Sequence, residues 1–221
     1  MKILHNPIPK LVFLTVLSAA FGSLAPEARA EDAARWELKT GIGVIDFDHP
    51  LVLGSQGDDR VFVSGNAGLA TQFGIAYRAS DLISYELSLA HARLPDVKRD
   101  IDDSTEELTD GPRYLPITAG MNFHLGSSEK FDFYVGPRLA FIDMQDIDVT
   151  LDDEAATFKV DNEYGWGIAT GFSYRFGHRW SLTADATYID VDLDIARRDT
   201  EDRVESGFDP LTFSLGASYR F

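Results

Sequence analysis

From Trp36 onward, large apolar residues fall on every second position rather than at the 3.6-residue spacing of a helix. In Ala67 to Tyr77 the odd positions are mostly large and apolar (Leu69, Phe73, Ile75, Tyr77), while the even ones are Gly, Ala or Gln. The next segment repeats this, with Ile83, Tyr85, Leu87 and Leu89 alternating with Ser84, Glu86, Ser88 and Ala90. Strict alternation marks a strand whose two faces meet different surroundings. The same pattern predicts strands over Trp36 to Val44, Leu115 to Leu125, Phe131 to Phe141, Trp166 to Phe176, Trp180 to Tyr188 and Leu211 to Phe221, eight in all. Most have the roughly 9 to 11 residues that a tilted strand needs to cross a hydrocarbon layer. Their connections alternate between short (79–81, 126–130, 177–179) and long (50–64, 93–113, 143–163, 195–209). That asymmetry belongs to an outer-membrane barrel with short periplasmic turns and long outer loops. The expected fold class is therefore all-β: an eight-stranded antiparallel transmembrane β-barrel.

Glycine placement assigns the faces. Gly41, Gly43, Gly68, Gly74, Gly120, Gly136, Gly165, Gly167, Gly171 and Gly216 all fall on the small or polar side of their strands. An eight-stranded barrel is only wide enough inside for side chains to fill it, so that side is expected to face inward and the apolar side to face lipid. A soluble lipocalin-like barrel would reverse the faces, and alternation alone does not separate the two. Aromatics on the apolar face beside the short turns (Tyr77, Phe123, Phe131, Phe133, Tyr174, Phe176, Trp180, Tyr219, Phe221) favour the membrane reading, because they would form an interfacial girdle. The chain closes on Tyr219-Arg220-Phe221, and a Phe in that place resembles the signal read by the outer-membrane assembly machinery. Tyr219 and Phe221 are the candidate assembly signal.

Residues 1–30 read as a secretory leader, with Lys2 and Lys10 ahead of an apolar Leu11 to Leu24 run and Ala28-Arg29-Ala30 as the cleavage site. The barrel domain then occupies residues 31–221. The chain carries a formal charge of -16 and no cysteine. Removing the leader takes away Lys2, Lys10 and Arg29 against Glu27 alone, so the exported chain is more acidic still. This argues against nucleic acid as a partner, since a phosphate backbone needs clustered Lys and Arg. No disulfide or thiolate metal site can form.

Several stretches carry a likeness to a known family: Leu115-Pro116-Ile117-Thr118, Phe133-Tyr134-Val135-Gly136, Tyr164-Gly165-Trp166-Gly167, the run from Trp180 to Tyr188-Ile189-Asp190-Val191-Asp192, and Asp209-Pro210 to Phe221. Together they resemble the outer-membrane protein W family over the second half of the chain. The first half matches only in outline: Glu86-Leu87 stands where that family has Glu-Leu, but Ser88-Leu89-Ala90-His91-Ala92 replaces the pattern that follows. The resemblance implies a narrow conduit for small hydrophobic molecules that leave sideways into the membrane. Some members are bacteriocin receptors.

Candidate lumen-lining residues are Lys39, Arg78, Glu86, His124, Arg138, Arg175, Asp185 and Arg220. With Glu37 and Asp132 they are expected to form ion pairs that plug the lumen, since buried charges demand partners. A selectivity filter is the sharper alternative. Pro137, lacking an N–H for the ladder, is the candidate for a lateral gap, with Phe141, Ile142, Met144, Ile189 and Val191 lining an apolar entry. The acidic runs at 96–110 and 152–154 read as a solvated surface, or as carboxylates sharing divalent cations with lipopolysaccharide. Asp190, Asp192, Asp194 and Glu201 match calcium-loop positions, but Ile195 stands where such a loop needs Gly, so no metal site is assigned. No catalytic residue and no cofactor is expected: a lipid hydrolase would need Ser, His and a carboxylate near the outer rim, and His124 lies beside a short turn. The expected partners are outer-membrane lipids and lipopolysaccharide, the assembly machinery and a small hydrophobic ligand. The alternative is a structural, receptor or adhesion barrel acting through its acidic outer loops.

Overall fold

The structure, a computed structural model, describes residues 35–221 except 48, 57–58, 65–66, 102–103, 129, 152–153 and 199–202. The expected leader, Asp102, Asp103, Asp152, Asp153 and Glu201 lie outside the described residues. β1 (Trp36–Asp46) runs outward from the short-turn end, and the first long connection carries β2 (Leu51–Gln56) and β3 (Asp59–Val63). β4 (Gly68–Arg78) returns, and β5 (Ile83–Arg93) leads to β6 (Val97–Ile101), β7 (Ser104–Thr109) and the returning β8 (Arg113–Ser127). β9 (Phe131–Met144), β10 (Ile147–Leu151), β11 (Glu154–Val160) and β12 (Glu163–Arg175) repeat the scheme. β13 (Trp180–Arg197), β14 (Arg203–Phe208) and β15 (Leu211–Arg220) complete it.

The barrel is the closed antiparallel ring β1-β4-β5-β8-β9-β12-β13-β15, with β15 pairing back onto β1 from Glu37↔Arg220 to Asp46↔Leu211. Trp36 and Phe221 exchange backbone hydrogen bonds across that closure (2.9 and 3.3 Å). The short turns use the same device twice. The Ser80 hydroxyl accepts from the amides of Leu82 and Ile83, and the Ser128 hydroxyl accepts from the amide of Phe131 at 3.0 Å. Such side-chain-to-backbone bonds are the reason Ser is favoured in tight turns.

The faces follow the sequence pattern. Leu69 is 78% exposed, with Ile42, Leu215 and Trp166 also well exposed, whereas Glu86, Asn122 and Arg138 are buried. Since the exposed face is the apolar one, it is the lipid-facing side, and a lipocalin-like arrangement is ruled out. The girdle sits at the short-turn end, where Trp36 packs on Tyr77, Phe131 on Tyr174 and Trp180 on Tyr219 with ring centroids 4.9 to 5.1 Å apart. The ten glycines lie on the luminal side. At Gly136 a Cβ would collide with the Met121 carbonyl, so a side chain there would force β8 and β9 apart.

The long connections depart from the expectation of solvated loops. Among the described residues they contain seven further strands. β2-β3-β6-β7 form a four-stranded sheet, β10-β11 joins the outer half of β13, and β14 pairs the other edge of β13. The signal was present in the apolar runs Leu51-Val52-Leu53 and Val61-Phe62-Val63 and in the alternating Ile147-Asp148-Val149. At about 3.3 Å per residue the 18 residues of β13 run roughly 60 Å, and at a tilt of about 45° they still rise roughly 42 Å against about 30 Å of hydrocarbon. The wall therefore rises beyond the hydrocarbon layer. This outer extension holds the large apolar core of the described residues, including Ile45, Leu51, Val63, Val97, Leu193 and Ile195, all between 0 and 1% exposed. Here the apolar side of each strand faces inward, as water outside demands.

Candidate functional site: a lumen divided into a polar plug and an apolar chamber

Inward positions at the short-turn end carry the charges. The Lys39 ammonium is 2.8 Å from Glu86 Oε2 and donates to the Tyr134 hydroxyl at 3.0 Å. Asn122 donates to Glu86 (3.0 Å) and accepts from Arg138 (2.6 Å), whose guanidinium also stands 3.8 Å from Glu86. Tyr134 donates to Asp185, which lies 4.0 Å from Lys39. Nearer the turns, Arg78 pairs with Asp132 at 2.6 Å, and Arg220 pairs with Glu37 at 3.2 Å. Arg175 ends β12 at the same level. The structure thus places all eight candidate lumen residues on the inner face, and it brings Lys39, Glu86, Arg138 and Asp185 into one network. Sequence reading missed Asn122 and Tyr134, which join the two halves of that network; both sit at even, inward positions of β8 and β9 beside the charges they serve.

His124 has both ring nitrogens partnered: Nδ1 lies 2.9 Å from Asp132 Oδ1 and Nε2 lies 2.9 Å from the Ser84 hydroxyl. Ser84, His124 and Asp132 are arranged in the order of a hydrolytic triad. Asp132 is shared with Arg78, and the cavity beside the group offers only about 20 Å³, space for about one water molecule. His124 Nδ1 also faces the Arg78 guanidinium at 3.0 Å, so the imidazole is a satisfied interior histidine.

Above Arg138 and Asp185 the lining becomes small, with Gly43, Ala70, Ala140 and Ala169. A hollow of about 1040 Å³ is bordered at this level by Gly43, Ala70, Gly171 and Ser214 within the lumen and by Ile42, Leu69, Phe213 and Leu215 on the outer face. β1, β4, β13 and β15 pair without a skipped residue through these positions, so luminal and outer spaces are separate and the volume is an upper bound for the lumen. Farther out the lumen is apolar: Ile142, Met144, Ile189 and Val191 point inward and are buried in the outer core, a region termed the chamber. Phe141 instead faces outward against Tyr164, at 5.2 Å between ring centroids.

The wall is interrupted in two of its eight ladders. β8–β9 skips Met121 and Asn122, opposite Pro137 and Gly136, and shifts register between His124 and Gly126. Pro137 therefore does interrupt pairing, but the crowding of Gly136 on Met121 shows the strands pressed together there. β5–β8 skips Ala90 and His91, opposite Pro116 and Leu115, between the pairs Leu89↔Ile117 and Ala92↔Tyr114. On its inner side this break lies between the Ser88–Thr118 hydrogen bond (2.6 Å) at the top of the plug and buried Ala92 and Tyr114 at the floor of the chamber. The other six ladders run without a skipped pair. The calcium-loop positions Asp190, Asp192 and Asp194 lie along the continuous strand β13, which cannot wrap a cation, and no cluster of metal-ligating residues occurs among the described residues.

A closed antiparallel barrel with an apolar outside matches the model of the outer membrane protein beta-barrel domain over residues 13–221. The chain belongs to that family. It is an outer-membrane protein, with its apolar band in contact with membrane lipid. Among solved structures, the fold is similar to that of OprG from Pseudomonas aeruginosa, at 16% identity over 87% of this chain and 98% of that one, with a TM-score of 0.66. It is also similar to AlkL in lipid bilayers, at 22% identity over 90% of this chain and 97% of that one, with a TM-score of 0.59. The E. coli outer membrane protein W aligns over 87% of this chain and its own full length at 18% identity and a TM-score of 0.46. No curated protein is similar to the chain at the level of sequence.

Proposed function

We propose that this outer-membrane barrel is a conduit for small hydrophobic molecules, which collect in the outer apolar chamber and leave sideways through the wall. The observation that carries this reading is the division of the lumen. An apolar molecule in the chamber meets a hydrogen-bonded ionic plug below it, and passing through would mean stripping Lys39, Glu86 and Arg138 of their partners at several kcal/mol per ion. The inexpensive way out is lateral. Pro116 marks that exit better than Pro137, because the ladder break beside Pro116 opens at the boundary between chamber and plug, with small Ala90 and Ala92 next to it. The resemblance to the outer-membrane protein W family supports the same activity.

The test is uptake of a neutral apolar compound into cells or liposomes, measured alongside single-channel conductance, for wild type, Pro116→Val and Pro137→Val. Restoring an N–H at residue 116 is expected to lower uptake several-fold, while Pro137→Val changes it little and neither alters a negligible conductance. Large steady ion conductance without apolar uptake defeats the proposal. The outer extension favours a second reading as a receptor or adhesion platform, because its strands and packed core hold the acidic surface rigid. Lipopolysaccharide would be a contact of that surface under either reading.

A further inference from the structure

The outer extension forms a ring of its own. β2-β3-β6-β7 and β10-β11-β13-β14 stand side by side, so the ring has two seams, β14 against β2 and β7 against β10. The first seam is tied: the Val52 amide donates to the Ser206 hydroxyl at 3.2 Å, and Phe208 beneath it packs edge-on to Phe47 and Tyr114, each at 5.3 Å. At the second, β7 and β10 approach within 8 Å between Cα atoms, yet no ladder joins them. Leu108 on β7 and Leu151 on β10 are half-buried, packed against the apolar core from the two sides of this slit.

We propose that the β7/β10 seam is the entrance to the apolar chamber, and that it admits neutral apolar molecules while disfavouring fatty-acid anions. This rests on the conduit reading and adds to it where the ligand enters and which class enters. Residues lining the chamber are almost completely buried, so a ligand needs part of the ring to move. Parting β7 from β10 breaks no backbone ladder, whereas parting any barrel pair breaks several backbone hydrogen bonds. The opening would also be lined with apolar atoms, since Val97, Ile147 and Val149 stand immediately inside. The class follows from charge. The two edge strands carry Glu106, Glu107 and Asp148 and no basic residue, and all three acids are exposed. Lys98 and Arg99 lie one strand back, in register with Glu107 and Glu106, so they answer those acids rather than the slit. A carboxylate entering here meets like charge on both edge strands before it reaches Arg197, the inward-facing cation in register with Phe158 and Ile147 two strands away.

The chain has no cysteine, so a pair can be introduced cleanly. Thr105 and Thr150 are exposed on the facing edges. The experiment joins Thr105→Cys to Thr150→Cys with a short bismaleimide in the purified, folded full-length barrel, and follows binding of N-phenyl-1-naphthylamine by stopped-flow fluorescence. Binding is expected to slow about ten-fold or more on cross-linking, while either single cysteine treated identically binds at the wild-type rate. Decanol should displace the probe where decanoate at equal concentration does not, and Glu106→Gln/Glu107→Gln/Asp148→Asn should narrow that difference about three-fold at low salt. An unchanged rate after cross-linking overturns the entrance, as does absence of probe binding to the uncross-linked protein. Equal displacement by decanoate overturns the ligand class. Seam-dependent binding without uptake in cells would leave the entrance standing and remove the conduit, so the two failures are distinguishable.

Discussion

Glu86 is the acid on which the plug converges, and removing its charge is the strongest test of that arrangement. Its side chain is 5% exposed and neutralises Lys39 at 2.8 Å, with Arg138 at 3.8 Å. Glu86→Gln keeps the shape but leaves two buried cations facing each other, with Asp185 at 4.0 Å from Lys39 as the remaining acid. Breaking a buried pair by removing one partner costs about 3 to 5 kcal/mol, and this substitution should fall in that range. Lys39→Met should cost less, because Glu86 retains Arg138 and the Asn122 bond at 3.0 Å. In the double variant Arg138 still has the Asn122 oxygen at 2.6 Å, so the total should be about 2 kcal/mol less than the sum of the singles. Reversible urea unfolding in phospholipid vesicles, followed by fluorescence of Trp36, Trp166 and Trp180, reads these values. Additive effects, or singles below about 1 kcal/mol, would mean that water reaches the pair and that the plug is a wet vestibule.

Gly171 faces Tyr134 and Asp185 so closely that a Cβ would overlap both, and Gly171→Ala should destabilise the barrel by about 1 to 3 kcal/mol in the same assay. Leu53→Asp places an unpaired charge in the outer core, where Leu53 is 2% exposed; limited proteolysis should then cut the extension while the heat-modifiable barrel band persists. Phe221→Lys is expected to reduce the amount of assembled protein in the outer membrane much more than it lowers the unfolding midpoint of what does assemble. Normal assembled levels would remove the assembly role proposed for Tyr219 and Phe221.

The barrel was legible because period-two alternation is a local property, and the orientation was legible because glycine and the aromatics break the symmetry between faces. The plug was partly legible. Lys39, Glu86 and Arg138 announce themselves as charges on an inward parity, but the register that brings β1 and β5 within reach of β8 and β9 is a tertiary fact. Pro137 stands out in the sequence because it has no N–H to give the ladder of a predicted strand, and Pro116 shares that property. What decides between them is whether the neighbouring strand can separate, and that depends on the unseen contact of Gly136 with Met121. The outer strands are hidden in the sequence for a related reason: Gly and Asp punctuate 50–64, and Asp punctuates 143–163, so often that short β2, β3, β10 and β11 look like turn material until they pair.

The two halves of this molecule invert each other because their solvents do. At membrane level lipid outside is as apolar as any core, so hiding aliphatic side chains inside gains nothing, and the lumen is filled by groups that specify one another through charge and hydrogen bonds. Beyond the membrane the same strands stand in water, and the apolar face turns inward. β13 shows the change within one strand: its luminal positions run from Ser181, Thr183 and Asp185 to Ile189, Val191, Leu193 and Ile195, with no break in the backbone. Parity never changes along it; the sequence exchanges which parity is apolar near Tyr188. The boundary between polar and apolar lumen is therefore set by where the outside solvent changes, which puts the floor of the chamber close to the outer edge of the lipid. A molecule resting on that floor beside Pro116 would have hydrocarbon within one wall thickness, which is the physical argument for the lateral path proposed above.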